Sequence, residues 1–236
     1  MSELYNKGKN AKIIKSEVQR LSTIDKNCVL LKVADNLVKN SNYILKSNSI
    51  DIHEARKQGM KDSLLDRLLL TEDRISSMAS GLKNIASLDD PIGEVLYMKQ
   101  RPNGLRIGKK RVPIGVIGII YESRPNVTID AFGLCFKAGN AVILRGGKEA
   151  INSNIALVNI IQNSLEEMSL PKEIVQIVED TSRESAYELM KMNEFLDVLI
   201  PRGGIELIRS VVENSTVPVI ETGTGNCHIF VDKSAN

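Results

Sequence analysis

Val142-Ile143-Leu144-Arg145-Gly146-Gly147 is a short apolar run that ends in arginine and two glycines and gives way to a helical pattern. The same device returns at Val198-Leu199-Ile200-Pro201-Arg202-Gly203-Gly204. An apolar run rich in branched residues reads as a strand, and a strand that turns through glycines into a helix reads as one step of a parallel sheet. At such a turn glycine lets the main chain approach an anion, the helix start offers free amides and its positive dipole end, and arginine adds a planar fixed charge. Either turn alone reads equally well as an ordinary connection with a solvated arginine. The pair predicts one extended ligand with separated phosphates, such as a dinucleotide.

Around these turns strands and helices alternate. Strands are predicted over Val112–Tyr121, Ala141–Arg145, Ile174–Val178, Leu196–Ile200 and Val217–Ile220. Between them the periodicity predicts helices over Ile129–Lys137, Ile151–Met168, Glu184–Met192 and Ile205–Asn214, and a last apolar run, His228–Val231, reads as extended. Nearly continuous apolar strands separated by amphipathic helices predict an α/β fold with a doubly wound, mostly parallel sheet. Upstream, Pro102-Asn103-Gly104 between short extended runs is a hairpin signal, read as a β-arm over 94–111. Residues 1–93 carry helical periodicity, with Val29, Leu30, Val33, Leu37 and Ile44 on one helix capped by Ser22 or Thr23. A second signal, Leu64, Leu65, Leu68 and Leu69, precedes a helix start at Thr71-Glu72-Asp73. The expected organisation is a helical region, 1–93, packed on a cofactor domain, 112–236, with the arm between them.

Composition narrows the function. With 31 basic and 29 acidic residues among 236, net charge implies neither a nucleic acid nor a membrane partner. Cys28, Cys135 and Cys227 lie far apart, which disfavours both a disulfide framework and a metal cage. No run approaches the length needed to cross a bilayer, so a cytoplasmic protein is expected. Gly223-Thr224-Gly225 begins a dinucleotide-like G-x-G, but His228 stands in its sixth position and a strand-like run follows where a helix is needed. Cys227 beside His228 suggests a thiol–imidazole pair, yet neighbours on an extended segment point to opposite faces. A structural role is the better reading for Cys227, as it is for Cys135 in its apolar helix, while His53 reads as solvated.

Residues 113–128, PIGVIGIIYESRPNVT, followed by Lys137-Ala138-Gly139-Asn140 and the first Arg-Gly-Gly turn, resemble the gamma-glutamyl phosphate reductase family of the aldehyde dehydrogenase superfamily. Leu64-Leu65-Asp66-Arg67-Leu68-Leu69-Leu70-Thr71, Pro102-Asn103-Gly104-Leu105-Arg106 and Gly225-Asn226-Cys227-His228-Ile229 extend the resemblance, in the same order, along essentially the whole chain.

The resemblance implies a Rossmann-like sheet of the aldehyde dehydrogenase type and an NADPH-dependent reduction of L-glutamyl 5-phosphate to L-glutamate 5-semialdehyde and phosphate. That is the second step of proline biosynthesis from glutamate. A cysteine thiolate attacks the acyl phosphate, and the nicotinamide delivers hydride to the resulting thioester. By the same resemblance Arg145 and Lys148 lie near the adenosine ribose, where cations in place of an acid favour the 2′-phosphate of NADPH. Gly146 and Gly147 complete the first turn; Arg202, Gly203 and Gly204 open the helix facing the pyrophosphate. Asn126 is the oxyanion-donor candidate, with Arg124 as the alternative for that place, and Glu221 matches a general-base position whose hydrolytic step a reductase does not use. No metal is implied.

The family's nucleophilic cysteine belongs to an Arg-Pro-Ser-x-Cys-Asn type motif that none of the three cysteines matches. The expectation is therefore an N-terminal cofactor-binding portion of a homo-oligomeric enzyme, with possible association of the intact enzyme with the glutamate 5-kinase of the pathway. The alternative from another class is a catalytically inert nucleotide-binding or interaction fragment.

Overall fold

In the computed structural model, which describes residues 2–221, 223 and 228–235, four of the apolar runs pair side by side in parallel. They follow a two-stranded arm, β1 (Val95–Gln100) and β2 (Arg106–Lys110), and are numbered β3 (Val116–Tyr121), β4 (Ala141–Arg145), β5 (Val175–Ile177) and β6 (Val198–Arg202). The spatial order is β5-β4-β3-β6. Every residue of β3 is buried, as a strand covered on both faces and flanked on both edges must be. Register sets Ile120 beside Arg145 on one side and Tyr121 beside Arg202 on the other.

Helices supply the covering layers. Before the arm come α1 (Glu3–Val18), α2 (Thr23–Lys39), α3 (Ser41–Lys57), α4 (Asp62–Leu68) and α5 (Glu72–Ser87); between and after the strands come α6 (Asn126–Lys137), α7 (Ile151–Glu167), α8 (Arg183–Met190) and α9 (Ile205–Asn214). Helices α6 and α7 lie on the sheet, with α2, α3 and α5 packed over them; α1 touches β3, β4 and α8. One apolar core runs from Leu4 and Val33 through Phe132 and Ile143 to Val211, so the early helices and the sheet share an interior.

Local chemistry explains the boundaries. The Ser22 hydroxyl accepts the Asp25 amide while the Asp25 carboxylate accepts the Ser22 amide, each at 3.2 Å, a reciprocal cap for α2. The Thr71 hydroxyl accepts the Arg74 amide at the start of α5. In the arm's turn Gly104 adopts φ +84°, which its glycine permits. Asp51 of α3 is buried and accepts from the Asn152 and Ser153 amides, so another helix's carboxylate caps α7.

Several expectations are corrected. The helix read through Ile44 is two helices, because α2 ends at Asn40 and α3 begins there. Strand β3 starts at Val116 and not Val112: Pro113 lacks an amide hydrogen, and Gly115 turns through φ +133°. Helix α6 starts at Asn126 and not Ile129, since Pro125 already holds helical angles. Val217–Ile220 forms no strand; a single parallel bridge joins Val219 to Leu199. His228–Val231 is not a strand either, and Ile229, Phe230 and Val231 are exposed. Shifts of one or two residues occur at β5, β6, α7 and α8. Cys135 is buried and His53 exposed. Thr224, Gly225 and Cys227 lie outside the described residues.

Candidate cofactor and substrate site

Parallel pairing sends both Arg-Gly-Gly turns to the same end of the sheet, the carboxyl edge, with β3 between them. Chain order reverses between β3 and β6, which makes this edge a topological switch point, the place where open α/β sheets leave a crevice for ligands. Three strands at about 4.8 Å spacing separate the turns by roughly 10 Å.

Arg145 is half-buried, and its Nη2 donates to the carbonyls of Thr181 and Ser182 at 2.9 and 2.8 Å. Its charge thus holds the loop between β5 and α8 against the end of β4. Burial pushes the guanidinium below its ordinary value, while Glu149 and Asp180 act in the opposite sense. Its Nε is buried with no hydrogen-bond partner. Gly146 packs so closely against Asn154 and Tyr121 that a side chain there would meet both. Gly147 leads into a short 3-10 turn, Lys148–Ala150, on which Lys148 is exposed. Glu149 is turned away from solvent: its carboxylate accepts the Ser123 amide at 3.0 Å and the Ser123 hydroxyl as well.

At the second turn Gly204 caps α9, and its amide donates to the carboxylate of Glu122 at 2.9 Å. A Cβ on Gly203 would lie 2.6 Å from the Glu122 carboxyl carbon and 2.8 Å from Leu207. The amide cradle therefore already receives an anionic group, delivered by the residue that follows the central strand. Glu122 carried no signal in the sequence beyond its place in the apolar-to-polar transition, and the reading missed it.

Arg124 and Asn126 follow on the loop and first turn leaving β3. The Asn126 side-chain amide donates to Asp130 at 3.2 Å, and both residues line a cleft of about 400 Å³ between this segment and helices α4 and α5. Glu221 is exposed, two residues past the Val219 bridge, on the outer side of β6 and away from β4 and Arg145. Arg145, Gly146, Gly147, Lys148, Arg202, Gly203, Gly204, Arg124 and Asn126 thus gather along one edge, and Glu221 stands at its margin. Among the described residues no group of three or more His, Cys, Asp or Glu side chains is placed to hold a metal ion, and no helix is long and apolar enough to cross a membrane.

The described cysteines offer no nucleophile here. Cys135 is buried in α6 and desolvation pushes its thiol up to about 12, where almost no thiolate exists at neutral pH. Cys28 sits on the exposed face of α2, a helix packed against α5, α6 and α7.

The family model described as "Aldehyde dehydrogenase family" matches residues 6–236. A curated relative from Clostridium beijerinckii, gamma-glutamyl phosphate reductase, is 59% identical over 236 residues, all of this chain and 57% of the relative. A crystal structure of gamma-glutamyl phosphate reductase from Thermotoga maritima superposes with a TM-score of 0.93 at 46% identity, over 100% of this chain and 57% of that one. Another, from Saccharomyces cerevisiae, gives a TM-score of 0.85 at 32% identity, over 93% of this chain and 56% of that one. The chain thus spans a little over half the length of the relatives it matches.

Proposed function

The chain belongs to the aldehyde dehydrogenase family, and from that premise we propose that it forms the cofactor-binding part of an NADPH-dependent gamma-glutamyl phosphate reductase. The reaction is reduction of L-glutamyl 5-phosphate to L-glutamate 5-semialdehyde with release of phosphate, in proline biosynthesis. One observation carries this reading: two Arg-Gly-Gly turns flank one strand at a topological switch point, in a chain 59% identical to a reductase of that name.

The residues present suit a phosphorylated dinucleotide. The Gly204 amide donates to the Glu122 carboxylate, so the first turn of α9 presents a donor of the kind a pyrophosphate needs. Arg145 retains a buried nitrogen without a partner, and Lys148 projects its charge from the adjoining 3-10 turn. When bound, the reduced nicotinamide supplies the hydride. Asn126, with Arg124 as the alternative for that place, is set to donate to an oxygen gathering negative charge, beside the end of the strand that Glu122 follows. Glu221 takes no part in this scheme.

Titration of the purified chain with NADPH, followed by nicotinamide fluorescence, tests the reading. Saturable binding tighter than that of NADH is expected; no uptake by folded material overturns it. In the reverse assay, with semialdehyde, NADP+ and phosphate, the chain is expected to show no turnover, because Cys135 is buried and Cys28 sits outside the site. Turnover abolished by Cys227→Ala would instead assign the thiol to Cys227 and overturn that expectation.

A further inference from the structure

The cleft between α4, α5 and the start of α6 is used by neither Arg-Gly-Gly turn, and its walls carry both signs of charge. Asp66, Arg67 and Arg74 come from the α4–α5 segment, Arg124 and Asp130 from the β3–α6 segment. Their roles differ. Arg74 is spent on structure: it pairs with the Asp66 carboxylate at 2.8 Å and donates to the carbonyls of Asp66 and Leu69. That fork fixes the turn joining α4 to α5 and neutralises Asp66.

Arg67, Arg124 and Asp130 remain. Among the described residues neither Arg67 nor Arg124 forms an ion pair, and Asp130 has only the neutral Asn126 amide as a close partner, on Oδ2. Its other oxygen faces α5 where that helix carries Gly81, and even a Cβ there would keep 4.0 Å from it. Asp130 is exposed as a residue, but its carboxyl lines the cleft. Burial pushes it above its ordinary value, with Asn126 and Arg202 opposing. At about 400 Å³ the cleft falls within the roughly 300–1,000 Å³ range of small-molecule sites.

Charge decides what fits. A bare phosphate would gain from the arginines but meet the Asp130 carboxylate, and an uncharged aldehyde would leave both kinds of charge unanswered. A ligand carrying an ammonium and a carboxylate on neighbouring atoms answers both. We infer that this cleft holds the α-amino-acid end of the substrate, its carboxylate on Arg67 and Arg124 and its ammonium on Asp130. The inference rests on the reductase reading above and adds to it the group that selects a glutamyl substrate over a simple acyl phosphate. It also accounts for the nearness of Asn126: the amino-acid end is anchored beside the segment that carries the oxyanion candidate.

Calorimetric titration of the whole chain with L-glutamate, glutarate, 4-aminobutyrate and inorganic phosphate tests this, with NADPH affinity and thermal unfolding measured on the same samples. L-Glutamate should bind saturably. Loss of its ammonium, in glutarate, or of its α-carboxylate, in 4-aminobutyrate, should weaken binding by about ten-fold or more, as should Arg67→Gln and Asp130→Asn, with NADPH affinity unchanged. NADPH uptake without L-glutamate binding, L-glutamate binding indifferent to both variants, or glutarate binding as tightly would each overturn the assignment while leaving the reductase reading standing. Phosphate that competes with L-glutamate and is lost in Arg67→Gln would hand the cleft to the phosphate end, which also overturns it. L-Glutamate binding that obeys the charge rules in a chain unable to bind NADPH would support the cleft and sink the reductase reading.

Discussion

Asp90→Ala is expected to lower the unfolding free energy by about 3–5 kcal/mol, because it strands a buried ammonium. Lys26 of α2 is 2% exposed, and its Nζ lies 2.5 Å from the Asp90 carboxylate, itself 9% exposed. The same Nζ donates to the Lys137 carbonyl at the end of α6, while Lys137 is buried beside it and donates to Asn27 and to the Ala86 carbonyl. Two lysines and one carboxylate thus tie α2, α5, α6 and the approach to the arm together at one point. Burial alone would push the Asp90 carboxyl up, but hydrogen bonds from Lys26, the Ile92 amide and Thr23 outweigh it and hold the group below its ordinary value. A carboxyl depressed in the folded state contributes stability that is complete above its unfolded value, near 3.8, and is lost as pH falls through the folded one. Urea unfolding should therefore separate the two proteins most at neutral pH and bring them together in acid. A companion variant, Lys26→Met with Asp90→Leu, should recover most of the loss, because it removes the charges instead of orphaning one. A single variant within 1 kcal/mol of the parent would mean that water reaches Lys26 and that the cluster is not the joint between helices and sheet.

That joint shows where sequence reasoning reaches and where it stops. Periodicity and caps exposed the strands, the Ser22 and Thr71 helix starts and the arm, because each depends on residues within one or two turns of one another. Lys26 and Lys137 are 111 positions apart, and on a helical pattern each lysine reads as a solvated face; only the fold makes them partners. The break at Asn40 was hidden because Ile44 continues the apolar spacing. Val217–Ile220 has strand composition, but Pro218 within it lacks an amide hydrogen for a ladder, and it makes one bridge to β6. The two Arg-Gly-Gly turns were legible as motifs, and parallel pairing was enough to predict that they share an edge. What Glu122 and Glu149 do there was not, since both reach across from one turn to another. The α4–α5 cleft was half visible: the leucines around Asp66 and Arg67 mark a helix, but what those two charges face depends on the fold.

Cofactor choice should respond most strongly at Lys148. Reversing its charge, Lys148→Glu, is expected to weaken NADPH binding on the order of 100-fold while leaving NADH unchanged or improved, a shift of about 3 kcal/mol. The acidic residue beside it, Glu149, is unavailable for ribose hydroxyls because its carboxylate is committed to Ser123. The exposed Lys148 therefore sets the local sign, and a carboxylate in its place would repel a 2′-phosphate and accept from a 2′-hydroxyl instead. Arg145 is the more delicate position, since its guanidinium also holds the Thr181 and Ser182 carbonyls. Arg145→Ala would loosen the β5–α8 loop and weaken both cofactors, so loss of affinity there says little about the phosphate. Arg145→Lys keeps the charge but not the planar fork, and it should lower thermal stability while preserving the preference for NADPH. Competitive titration with the two reduced cofactors, read as a ratio, separates these effects. A ratio unmoved by Lys148→Glu would place the 2′-phosphate away from the first turn and leave the second, at Arg202, as the one that reads it.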